Sequence, residues 1–180
     1  MLKGKQVTLR GLELEDGQEI LKHFNDMEVR HFLGAPIPIS EVEEEEFIRS
    51  TWARRKSGRG YVFGIELNKS QLLIGCCELT DISPIHRGAE LGIIIFNKKY
   101  WSQGLGTEAL SLLLDYGFNS LNLHRIYLRV NEDNARAIRA YQKVGFQQVA
   151  RYRECLFREG KYIDELLMDI LAEEYKSSQS

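Results

Sequence analysis

Trp101-Ser102-Gln103-Gly104-Leu105-Gly106-Thr107-Glu108-Ala109-Leu110 lies where a strand ends, two glycines turn the chain and an amphipathic helix begins. Such a turn aims several unpaired N–H groups outward. The helix start also carries a partial positive charge, so a pyrophosphate can settle there, and glycine lets the backbone approach it closely. A Gly-x-Gly pair alone also reads as a plain turn, so the flanking sequence has to decide. Upstream, β-rich stretches at 61–67, 72–79 and 89–96, joined by Asn68-Lys69-Ser70 and a longer loop through Pro84, predict an antiparallel meander. Downstream, Leu110, Leu113, Leu114, Gly117, Phe118 and Leu121 recur at helical spacing, and 126–130 reads as a strand. Ala137, Ile138, Tyr141 and Val144 mark another short helix. The stretches 149–157 and 162–170 flank Arg158-Glu159-Gly160-Lys161, a hairpin-type turn that closes the sheet.

Before the meander, Gln6-Val7-Thr8-Leu9-Arg10-Gly11-Leu12 alternates like a strand, and Glu15-Asp16 opens a helix carrying Ile20, Leu21 and Phe24. Ala35-Pro36-Ile37-Pro38 predicts a stiff extended loop. Ser40 with Glu43 three residues on has capping-box spacing, starting a helix that runs to about Lys56 before Ser57-Gly58-Arg59-Gly60 breaks it. With no internal repeat and no second composition block, residues 1–175 read as a single domain, followed by a polar tail over 176–180 that frays.

A hydrophobic share of 43% with 28% charged residues is ordinary for a globular chain and excludes a disordered one. The longest apolar stretches, such as 91–96, are far too short to span a bilayer. Met1-Leu2-Lys3-Gly4-Lys5 runs into a strand-like alternation rather than a signal sequence, so a cytoplasmic location is expected, with neither membrane nor nucleic acid as partner. Cys76 and Cys77 point to opposite faces of a strand and Cys155 stands alone, which predicts buried, reduced thiols. None of the four histidines has metal-ligand spacing and no metal is expected. The net charge of −2 hides an asymmetry. Glu13, Glu15, Asp16, Glu19, Asp26, Glu28, Glu41 and Glu43 to Glu46 make the early chain acidic, while Arg125, Arg129, Arg136, Arg139 and Lys143 make the stretch after Lys98 basic. One end suits a cation and the other a phosphorylated ligand, although charged helix faces are also ordinary solvated surface.

Neither common nucleotide fingerprint fits: the Walker Lys-Ser/Thr is missing, and the third glycine of the dinucleotide motif would fall at Ala109. What fits is the order of elements ending in Asn131-Glu132-Asp133-Asn134-Ala135-Arg136-Ala137-Ile138-Arg139-Ala140-Tyr141-Gln142-Lys143-Val144-Gly145-Phe146. Together with the glycine turn, this resembles the GCN5-related N-acetyltransferase (GNAT) superfamily over most of the chain. Asn134, Ala137, Tyr141, Lys143, Gly145 and Phe146 match its Asn-x-x-Ala-x-x-x-Tyr-x-Lys-x-Gly-Phe signature. Trp101 stands where many members carry Gln or Arg, and an aromatic residue there resembles the branch that acetylates ribosomal-protein N-termini. Ile85-His86-Arg87-Gly88-Ala89-Glu90-Leu91-Gly92-Ile93-Ile94-Ile95 and Asn122-Leu123-His124-Arg125-Ile126-Tyr127-Leu128 are similar to spermidine-acetylating members.

The resemblance implies an α/β (α+β) fold with a central mixed, mostly antiparallel sheet of six to seven strands, about four flanking helices and a splayed parallel strand pair that holds acetyl-coenzyme A as cosubstrate. It implies that backbone groups of Ile94 and Phe96 pair with the pantetheine arm, and that the pyrophosphate meets Ser102, Gln103, Gly104, Gly106 and Thr107. Asn134 and Asn131 would contact the arm, and Lys143 the ribose phosphate. The Ile94 N–H is the candidate donor to the reacting carbonyl oxygen and Tyr141 the matching acid for the leaving thiolate, although its spacing with Ile138 and Val144 also suits core packing. An amine attacks only when unprotonated, so a carboxylate is needed to take its proton: Glu90 first, with Glu78 and Asp81 as alternatives that could instead hold a cationic acceptor. His86 could line the acceptor groove or sit in a surface loop. The expected acceptor is a polyamine such as spermidine. A protein N-terminal α-amine, an antibiotic or amino-sugar amine, and a binding module that senses acetyl-coenzyme A without turnover stay open. Some polyamine-acetylating relatives form rings with regulatory sites between subunits, so a homo-oligomer is also open, with the acidic segment near Glu28 and Glu41 as the matching region.

Overall fold

At the start of the longest helix, Ser40 and Glu43 bond as their spacing predicts. Ser40 Oγ accepts from the Glu43 amide at 3.3 Å while the Glu43 carboxylate accepts from the Ser40 amide at 2.8 Å. Two otherwise orphaned donors are thereby satisfied, and the helix α3 (Glu41–Lys56) begins. The computed structural model describes residues 1–33 and 38–178, so 35–37 of the expected Ala35-to-Pro38 loop lie outside the described residues. Before α3 come β1 (Leu2–Lys3), β2 (Val7–Arg10), α1 (Asp16–Phe24) and the single turn α2 (Met27–Arg30).

The meander follows as β3 (Tyr61–Leu67), β4 (Leu73–Ser83) and β5 (Gly88–Ile95), then α4 (Leu105–Asp115), β6 (Arg125–Asn131), α5 (Ala135–Lys143), β7 (Gln147–Arg158), β8 (Lys161–Leu171) and α6 (Ala172–Ser178). The helical spacing read through Leu121 is only partly α: the helix closes at Asp115 and Tyr116–Ser120 forms a wider turn, with the Leu121 amide on the Tyr116 carbonyl at 3.0 Å. The sheet order is β1-β2-β3-β4-β5-β6-β8-β7, antiparallel everywhere except between β5 and β6. Among the described residues, eight strands and six α-helices replace the expected six to seven and about four. The additions are β1, α2 and α6, which are too short to carry a periodic pattern.

Alternation along the strands builds two cores. Ile126, Leu128 and Val130 of β6 join Leu110, Leu113, Leu114, Tyr141 and Phe146 of the α4–α5 side, whereas Leu12, Ile20, Ile48, Val62, Leu73 and Phe96 form the cluster beneath α1 and α3. Cys77 is buried in the first core and Cys76 packs on the second, on opposite faces as read. Cys155 departs from the expectation of a buried thiol and is exposed on β7, an outer strand whose residues mostly face solvent.

Candidate active site

Strands that run side by side and then part leave backbone groups that the sheet does not satisfy. β5 and β6 are paired at Gly88↔Arg125, Ala89↔Ile126 and Glu90↔Tyr127 and no further. Beyond that point β5 stays with β4 as far as Gly75↔Ile95, and β6 stays with β8 as far as Asn131↔Glu165. The β6-facing edge of β5 is therefore open from Leu91 onward. Gly75 fixes how β4 passes this region, because a Cβ there would lie 2.3 Å from the Ile94 carbonyl oxygen. That carbonyl is turned toward β4. Phe96 follows the strand with its side chain fully buried, so only its backbone can face a ligand.

The open edge leads into the glycine turn. Gly104 caps α4 with φ 82°, a left-handed conformation that favours glycine, and no side chain bonds the helix start. The Glu108 amide is the first to find a partner, on the Gly104 carbonyl at 2.9 Å, so the amides of Leu105, Gly106 and Thr107 point outward. Ser102 and Gln103 are exposed, Gly106 and Thr107 half-buried. Gln103 Nε2 donates to the Lys99 carbonyl at 2.6 Å, shaping the turn from within. Trp101 reaches back: its indole Nε1 donates to the Ile95 carbonyl at 2.6 Å, and the Arg136 guanidinium lies 3.6 Å from its ring centroid.

Arg136 belongs to α5, whose N-cap is Asn134. The Asn134 side-chain oxygen accepts from the Ala137 amide at 3.2 Å, so its part in the helix start is plain, and Asn131, half-buried at the end of β6, accepts the Asn134 amide at 2.9 Å. Lys143 is exposed on the last turn of α5. Tyr141 is 7% exposed, edge-on to Phe146 with ring centroids 5.9 Å apart. Burial pushes its phenol up to about 12. Its hydroxyl makes no hydrogen bond among the described residues, yet the one side-chain atom there that is both sealed from solvent and unpartnered is Glu44 Oε1. The Tyr141 ring thus sits in the core, with its hydroxyl left without a protein partner among the described residues.

Glu90 is the last paired residue before the strands part, and its Oε1 accepts from Arg129 Nε at 3.0 Å. Beside it opens a cavity of about 530 Å³ lined by Glu90, Tyr127, Arg129, Tyr152, Glu165 and Leu167, together with Arg125 and Cys155. Glu78, opposite Gly92 on β4, is half-buried and 3.5 Å from Arg54. Burial raises its pKa, with Arg54 opposing. Asp81 and His86 lie apart from this cavity's lining. Asp81 is exposed with φ 49°, and His86 is exposed in the β4–β5 turn with its amide on Ser83 Oγ. Sequence reading missed Tyr127, Arg129, Tyr152 and Glu165. The alternation Arg125-x-Tyr127-x-Arg129 on an apolar strand was a signal for two of them, whereas Glu165 and Tyr152 arrive from β8 and β7 with no local sign.

The charge asymmetry reads differently in space. Arg125 pairs with Asp169 and Arg129 with Glu90, so this part of the basic stretch is spent on carboxylates rather than grouped at the glycine turn. In the acidic stretch Asp16 pairs with Arg10, and Asp26 and Glu28 with Lys98, while Glu41 is exposed. Among the described residues no group of three or more His, Cys, Asp or Glu side chains could hold a metal ion, and no helix is long and apolar enough to cross a membrane.

The family model described as an acetyltransferase (GNAT) domain matches residues 6–147. The chain belongs to this family. It is similar to the spermidine N(1)-acetyltransferase of Escherichia coli K12, 32% identical over 97% of this chain and 91% of that one, and to an uncharacterized N-acetyltransferase, p20, of Bacillus licheniformis, 29% identical over 95% and 96%. Among solved structures, spermidine N-acetyltransferase from Vibrio cholerae in complex with CoA and spermine superposes with a TM-score of 0.86 at 32% identity, covering 96% of this chain and 99% of that one. The split sheet and glycine turn are therefore those of a GNAT fold, and the chain is an acetyl-CoA-dependent N-acetyltransferase. The residues present fit that cosubstrate: an open strand edge ends at outward-facing helix amides.

Proposed function

We propose that this GNAT enzyme acetylates a primary amine of a polyamine such as spermidine by direct attack with both substrates bound. The observation that carries the reading is the parting of β5 and β6 after Glu90↔Tyr127, which leaves outward amides at one end of the split and a cavity with two carboxylates and two tyrosines at the other. The spermidine-acetylating relatives from two bacteria support the acceptor class.

In this reading acetyl-CoA supplies an activated acetyl thioester. The amides following Gly104, with Ser102, Gln103, Gly106 and Thr107 around them, hold its pyrophosphate by direct N–H donation. The edge of β5 up to Phe96 orients the pantetheine arm, the Ile94 N–H faces the carbonyl oxygen, and Asn134 and Asn131 bracket the arm from β6, with Lys143 at the ribose phosphate. Glu90 accepts the proton that the acceptor ammonium must shed, and Glu78 adds negative charge beside it. Tyr141 hydrogen-bonds the leaving sulfur and returns a proton to it. Asp81 and His86, outside the cavity lining, serve the outer approach of the acceptor.

Following thiol release with spermidine, spermine and N-terminal peptides, alongside calorimetry with CoA, tests the reading. Turnover with the polyamines supports it, and turnover confined to peptide or amino-sugar amines transfers it to those acceptors. Tight CoA binding without thiol release from any amine would make the chain a sensor.

A further inference from the structure

We propose that Arg129 sets the acceptor preference of the cleft by acting as a built-in stand-in for the acceptor's cation on Glu90 and Glu165. The Arg129 guanidinium bridges the two, with Nε 3.0 Å from Glu90 Oε1 and Nη1 3.8 Å from Glu165 Oε2. Its own side chain is 52% exposed, whereas those of Glu90 and Glu165 are 21% and 16% exposed. Two largely sheltered carboxylates thus share one half-solvated cation. All three line the cavity that opens where β5 and β6 part, with Tyr127 and Tyr152 supplying aromatic walls.

The neighbouring charges leave this role to Arg129 alone. Arg125, the other guanidinium at the cavity, is held by Asp169 at 2.6 Å and lies over the Tyr127 ring at 5.1 Å. Glu78 answers to Arg54 across β4. An ion pair with one member half in water contributes about 1 kcal/mol or less, so an incoming ammonium displaces the guanidinium readily. A polycation with charges spaced along an aliphatic chain replaces it on both carboxylates, whereas a single ammonium replaces it on one. Arg129 therefore taxes every cationic acceptor and falls most lightly on those carrying a second charge. The inference rests on the polyamine reading above and names the residue that tunes it.

The test is calorimetric titration of spermine into the CoA-loaded full chain, paired with steady-state KM for spermidine. Arg129→Gln is expected to bind spermine about five-fold more tightly and to lower KM by a similar factor. Arg129→Lys, which keeps the charge, should stay near the wild type, and adding Glu165→Gln to Arg129→Gln should reverse the gain. A purely structural Arg129 would leave spermine affinity unchanged or weaken it, and either result overturns the proposal. If Arg129→Gln loses its melting transition, Arg129→Met keeps the aliphatic stem and makes the same comparison. Tighter spermine binding without thiol release would sink the transfer reading and leave this one standing, whereas turnover with unchanged spermine binding in Arg129→Gln would do the reverse.

Discussion

Replacing Tyr141 with phenylalanine isolates one oxygen atom. The hydroxyl makes no hydrogen bond among the described residues, and the ring's contact with Phe146 survives the change, so nothing that holds α5 is lost. Stability should shift by no more than about 0.5 kcal/mol, which for a chain of this size moves the melting temperature by about 2 °C at most. The chemical effect is of another order. With its phenol pushed up to about 12, Tyr141 stays protonated, with about 1% ionised at pH 10. A thiol ordinarily ionises near 8.5, so complete proton transfer from this phenol to a free thiolate is uphill by about 5 kcal/mol. In the proposed acid role Tyr141 donates a hydrogen bond to sulfur as its bond to carbon breaks, with the proton crossing late, and the loss should fall at the low end of general-acid effects, on the order of 100-fold in kcat. Steady-state thiol release measures kcat, and calorimetry shows whether CoA affinity holds. Between pH 6 and 10 the wild-type rate should show no alkaline limb from Tyr141, since deprotonation begins only above that range. Full turnover in Tyr141→Phe, or a fall matched by an equal loss of CoA affinity, would refute the acid role.

Gly104→Val meets no neighbouring atom within 4 Å, so its effect is backbone strain at φ 82°, and CoA affinity measured by calorimetry should fall by about ten-fold while the melting temperature drops by several degrees. Gly75→Ala drives a Cβ against the Ile94 carbonyl at 2.3 Å, so β5 must shift, and thermal melts should show a loss of about 1–3 kcal/mol together with reduced turnover. Burial raises Glu44 to about 7, above its unfolded value near 4.3, so the proton favours the folded state. The stability it contributes is full below about pH 4.3 and is lost as pH rises through 7, on the order of 2 kcal/mol, because only Oε1 is fully sealed from water. Denaturant melts of Glu44→Gln should lack this slope, and parallel curves for the two proteins would exclude it. Turnover should rise with pH as the acceptor amine loses its proton, and a flat rate from acidic to alkaline pH would count against a free amine as nucleophile.

How far the site was legible depends on how each part is built. The capping box at Ser40 and Glu43 and the glycine turn at Gly104 could be read because each is a local device, complete within a few residues. The α5 signature was equally local, yet it could not say that Asn134 spends its side-chain oxygen capping its own helix or that Arg136 lies against Trp101. Charge was the least reliable guide. The basic stretch after Lys98 looked like a phosphate site, but strand alternation turns Arg125 and Arg129 toward carboxylates of other strands, and no periodicity in β6 reveals that Asp169 and Glu165 will stand diagonally across from them on β8. The short elements β1, α2 and α6 went unseen because two to seven residues cannot establish a period.

That division has a functional consequence. In the proposed reading the cofactor side draws chiefly on one strand edge and the turn that follows it in sequence, with Asn131, Asn134 and Lys143 added from β6 and α5. The proposed acceptor side draws on β5, β6, β7 and β8, which supply Glu90, Arg129, Tyr152 and Glu165 in that order, none of them part of the glycine turn. Chains sharing this fold can therefore diverge in the amine they accept through single outward-facing positions on separate strands. In this chain the guanidinium at position 129, seated on two sheltered carboxylates, is such a position.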